Sequence, residues 1–93
     1  MEKIVYDMLD TFIAEAEEYK KKHLHGSFYK YICGEDLYDW IKKCSSFLKT
    51  YFPNEKVTEG ISSWSGADSI WESTFNYYTE LLYELRNRIK RLP

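Results

Sequence analysis

The chain has 93 residues, a formal charge of −2, and 44% hydrophobic, 18% aromatic and 30% charged residues, the charges of both signs. That length holds one domain, 1–93, and the composition belongs to a folded chain, not a disordered one. It gives no overall basic field of the kind nucleic-acid binders carry, and no stretch approaches the roughly 20 apolar residues of a membrane span.

The opening MEKIVYDM lacks the basic head and continuous apolar run of a secretory leader. With Cys33 and Cys44 as the thiols, the expected setting is a reducing cytoplasm with both cysteines free. The first element is a helix near 2–25. Val5, Leu9, Phe12, Ala16, Tyr19 and His23 recur in steps of 4 and 3, a spacing that only a helix gathers on one face. Acids precede Lys20, Lys21 and Lys22 along it, as the helix dipole favours, and Gly26 is a natural stop.

The stretch SFYKYIC, 27–33, alternates Phe28, Lys30 and Ile32 against Tyr29, Tyr31 and Cys33. That suits a short extended run. Without a convincing second strand to pair with, it reads as a crossing segment whose aromatics mostly cover the core. A second helix near 35–52 follows, with Leu37, Ile41, Cys44, Leu48 and Tyr51 as its seam and Pro53 closing it. The connection 53–68 is long for a helical bundle. Asn54 as a cap, with Val57, Ile61 and Trp64 at i, i+4 and i+7, predicts a short extra helix within it. A third long helix near 69–92 carries Trp71, Phe75, Tyr78, Leu82, Leu85, Ile89 and Leu92, and Ser69 with Glu72 fits a capping box. The expected fold is all-α, an antiparallel up-down-up three-helix bundle with an extra short helix in the 53–68 connection.

The apolar surface is wider than such a bundle needs. The second helix has another stripe in Trp40, Cys44, Phe47 and Tyr51. The last has Ile70, Thr74, Tyr77 and Leu81, and the first adds Met1, Ile4 and Met8. A helix that is apolar on two sides buries both, either under 27–33 and 54–64 or in an interface, including a possible homodimer. Trp40, Phe47, Trp64, Tyr77 and Leu81 are therefore the candidate anchors for another protein.

Chemistry is sparse. His23, His25, Cys33 and Cys44 do not have the spacing of zinc ligands, and i, i+2 histidines on a helix point to opposite sides, so no metal and no cofactor is expected. GISSWSG at 60–66 is not a nucleophile elbow, and no Glu-x-x-His pair stands ready for a bundle metal site. The chain reads as no enzyme. It reads as a small acidic interaction module, an inhibitor or adaptor of the kind bacteria and phages encode. The alternative is a nucleic-acid-binding subunit using Arg86, Arg88, Lys90 and Arg91.

Overall fold

The computed structural model describes residues 2–67 and 69–90. The 4-3 seam of the first segment folds as read: Val5, Leu9, Phe12 and Ala16 are buried, with Ile13 beside them, on α1 (Lys3–His23). The second segment forms α2 (Glu35–Tyr51), and both of its stripes are buried over Leu37–Leu48. The extra helix in the connection is α3 (Lys56–Ser62), with Val57 and Ile61 inward. It starts after Glu55, not Asn54, and the Thr58 hydroxyl donates to the Phe52 carbonyl at 2.6 Å, tying it to the end of α2. The last helix, α4 (Glu72–Lys90), buries Phe75, Leu82, Leu85 and Ile89. Met1, Arg91 and Leu92 lie outside the described residues.

The fold is mostly helical, but it is not all-α. Three strands of two residues each, β1 (Leu24–His25), β2 (Tyr31–Ile32) and β3 (Ile70–Trp71), form an antiparallel sheet in the order β1-β2-β3. Leu24 stands opposite Ile32, which stands opposite Ile70; His25, Tyr31 and Trp71 are aligned in the same way. Because successive residues of a strand point to opposite faces, the first row packs inward and the second faces out. The sheet corrects two expectations. α1 ends at His23 because the next two residues become extended, and Gly26 serves the hairpin turn instead of stopping the helix. Ser69 is no cap, since α4 begins at Glu72, whose amide donates to the Lys30 carbonyl at 2.9 Å.

The helix directions also differ from up-down-up. His23 meets Asp36 at one end of the α1–α2 pair, and Phe12 packs on Phe47 further along, so α1 and α2 are antiparallel. Lys20 faces Glu72 and Asp10 faces Arg86, so α4 is antiparallel to α1 as well and runs parallel to α2. α2 is about 26 Å long, and the chain must return that distance before α4 begins. The connection is long for this reason. The resulting body measures 45 × 21 × 20 Å, with the sheet at the end where α1 finishes and α2 and α4 start.

Candidate functional site

The anchors named from sequence divide sharply. Trp40 is 2% exposed, its indole N–H donates to the Phe12 carbonyl at 3.1 Å, and its ring lies against Tyr19 and Phe75. Phe47 is buried among Phe12, Tyr51 and Phe52. Trp64 stacks on Phe75 at 6.0 Å and meets the ring of Tyr78 edge-on. These three are core residues: Trp40 and Phe47 lie on α2, which packs against both α1 and α3, and Trp64 follows α3, which packs against α4. Leu81 is half-buried against the same core. Tyr77 alone of the five is substantially open, at 43%, with the Lys56 ammonium over its ring.

At the basic end of α4, Arg86 and Arg88 make ion pairs within the molecule. Arg86 donates to Asp10 Oδ1 at 2.9 Å and lies over the ring of Tyr83. Arg88 clasps the Glu55 carboxylate, and that bond raises its pKa. Lys90 is exposed; Arg91 lies outside the described residues.

The exposed aromatic surface is elsewhere, around the sheet. Phe28 is 95% exposed, Tyr29 78% and Trp71 57%. Three rings cross the outer face of the sheet in register, His25, Tyr31 and Trp71. His25 stacks on Tyr31 with centroids 5.6 Å apart. Tyr29 stands edge-on to Trp71 at 6.2 Å and 67°. Beside them lies an open groove of about 620 Å³ lined by Phe28, Tyr29, Lys30, Trp71, Glu72 and Ser73.

The sequence around Gly26 explains why these rings are held out. Gly26 has φ +95°, and a Cβ there would sit 2.2 Å from the Tyr29 carbonyl oxygen, so the five-residue loop Gly26–Lys30 folds tightly over a glycine and turns Phe28 outward. The hairpin root is closed on both sides. The Cys33 amide donates to the His23 carbonyl, and His23 Nε2 lies 2.8 Å from Asp36 Oδ1. The His23 imidazole beside it holds the Asp36 carboxyl below its usual range, helped by Lys22. From Tyr19 to Gly34 the chain carries four lysines, two histidines and no acid.

Burial pushes the Cys44 thiol well up. The Ser45 and Ser62 hydroxyls pair at 3.0 Å between α2 and α3, and the Ser63 hydroxyl donates to the Gly60 carbonyl. Among the described residues, no three His, Cys, Asp or Glu side chains converge as metal ligands, and no helix is long and apolar enough to cross a membrane. Sequence reading placed 27–33 as a lid over the core, and only Ile32 of that segment is buried. Comparison with protein-family models, with curated proteins and with solved structures returns no significant match to this chain.

Proposed function

We infer that this chain is a small non-enzymatic interaction module that holds a macromolecular partner through its aromatic end. The observation that carries this reading is the company of Phe28, Tyr29 and Trp71, three large rings left open beside one groove. Fully covering one such side chain is worth about 1.5–3 kcal/mol, and Trp and Tyr are the residues that anchor interfaces. The rings are mounted on paired strands and a tight loop, so little ordering is needed when a partner arrives. The earlier expectation of a partner met on helix flanks loses Trp40, Phe47 and Trp64 to the core. In the basic-end alternative, Arg86 and Arg88 already face Asp10 and Glu55.

The test uses the whole chain labelled with 5-fluorotryptophan, which gives separate fluorine signals for Trp40, Trp64 and Trp71. In clarified extract of the cells that express the protein, the Trp71 signal alone is expected to shift or broaden. Phe28→Ala with Tyr29→Ala is expected to abolish that response. Digesting the extract with protease or with nuclease then sorts the partner by class. A Trp71 signal that is the same in extract and buffer overturns the reading.

A further inference from the structure

We propose that the outer face of the three-stranded sheet is a stacking platform for single-stranded nucleic acid. The proposal rests on the interaction-module reading and names its partner class. Bases offer flat faces at close intervals, and the sheet offers rings at close intervals in return. His25, Tyr31 and Trp71 occupy one cross-strand row, and adjacent strands lie about 4.8 Å apart. His25 and Tyr31 stack on each other and form one side of the row, while Tyr29 stands edge-on to Trp71 at 67°, an arrangement that leaves the faces of one of these two rings clear of the other. Phe28, at 95% exposure, lines the groove beside Tyr29 and Trp71. Stacking on such side chains tolerates any sequence, because every base has a π-face.

Charge points to the same partner. The segment that carries the platform, 19–34, has Lys20, Lys21, Lys22 and Lys30 and no acid, although the whole chain is at −2. Two of these lysines already face acids, Lys20 with Glu72 at 4.0 Å and Lys22 with Asp36 at 3.9 Å, so among the described residues Lys21 and Lys30 supply the unpaired positive charge of the segment. Lys30 lines the groove itself, where a phosphate following a stacked base would pass. Glu72 and Ser73, also in the groove, offer an acceptor and a hydroxyl to base edges. They are a poor floor for hydrocarbon, which speaks against bilayer insertion.

A second copy of this chain is the weaker occupant. At about 200 Å² per aromatic side chain, the three most open rings supply about 450 Å², against the roughly 800 Å² per partner of a stable protein interface. A single strand is satisfied by such a footprint, because each stacked base contributes separately.

The experiment is a titration of the full chain with a mixed-sequence single-stranded dodecamer, as DNA and as RNA, at low salt, read by anisotropy of the labelled strand and by tryptophan emission. Trp40 and Trp64 are buried, so Trp71 reports. The expected result is saturable binding of the strand with quenching, and weaker binding of the matching duplex. Phe28→Ala and Tyr29→Ala should each weaken binding about fivefold or more. Trp71→Phe should remove the quench while anisotropy still reports a complex, and Lys90→Gln should change nothing. The slope of log affinity against log salt should fall near −1.5 to −3, as expected for about two to four phosphate contacts, and become shallower by about 0.7 in Lys30→Gln.

Absence of binding at low salt overturns the proposal. So does binding that Phe28→Ala and Tyr29→Ala leave intact, and so does a Trp71 response to anionic phosphatidylglycerol vesicles without one to the strand. If the strand fails while the Trp71 fluorine signal still responds to nuclease-treated extract, the interaction module stands and the partner is of another class. If both fail, both readings fall.

Discussion

Trp40 on α2 donates its indole N–H to the main-chain carbonyl of Phe12 on α1, 3.1 Å away and out of contact with water. The bond joins two consecutive helices through a group that α1 already uses in its own ladder. It turns what looked like a partner anchor into the pin of the α1–α2 packing. Trp40→Phe removes the donor and part of the volume, and is expected to cost about 1–3 kcal/mol. Trp40→Glu, which buries an unpaired charge, is expected to abolish folding. Urea unfolding followed by far-ultraviolet circular dichroism measures the first, and loss of helical signal without denaturant shows the second.

Gly60 on α3 leaves room for the ring of Tyr78 on α4. A Cβ at that position would lie 2.0 Å from the Tyr78 ring edge, and the ring is also held edge-on to Trp64 at 5.4 Å. Alanine is the better helix former, so an exposed site would gain from the change. Here the clash decides the sign, and Gly60→Ala is expected to lose about 1–3 kcal/mol. A lower urea midpoint with an unchanged slope is the signature.

The two thiols should separate in reactivity. Cys44 is fully buried on the α2 seam, and burial pushes its thiol well up, so the reactive thiolate is scarce as well as inaccessible. Cys33, beside the hairpin root, is half-buried. Iodoacetamide at neutral pH followed by peptide mass spectrometry should modify Cys33 in the native protein. Cys44 should react only in urea.

Acid should loosen the hairpin root. Proximity to His23 lowers the Asp36 pKa from its ordinary 3.8, so this group contributes stability at and above that ordinary value. The contribution is lost as pH falls through the lowered one. Asp36→Asn lacks it at every pH. The melting temperatures of wild type and Asp36→Asn should therefore differ near pH 6 and converge as the pH falls well below the ordinary carboxylate range. Curves that stay parallel throughout that fall in pH would remove Asp36 from the clasp.

The long helices were legible because their seams are long. Val5 to Ala16 and Phe75 to Ile89 repeat a 4-3 spacing over several turns, and Val57, Ile61 and Trp64 were enough to locate α3. The strands were not legible. Two residues carry no period, and Trp71 continues the spacing of Phe75 and Tyr78, so β3 hides inside what reads as the first turn of a helix. The direction of α4 was equally hidden, because it depends on where the 53–68 connection delivers the chain. The double stripe of α2 did signal an excess of apolar surface. Whether neighbours or a partner covered it was a tertiary matter, and α1 and α3 cover it. The outward turn of Phe28 rests on the backbone of Gly26 and on pairing with Ile70–Trp71, a partner distant in sequence.

That distant pairing orders events during folding. β1 and β2 can meet at once across a short loop, but β3 joins them only after α2, α3 and the connection have brought Ile70 back to Ile32. Closing so large a loop costs entropy that a ladder two residues long cannot repay by itself. The helices must dock first, and the sheet registers their arrival. Trp71 stands beside Tyr31 only once that return has been made, so the complete row of rings is a property of the folded molecule and of no local segment.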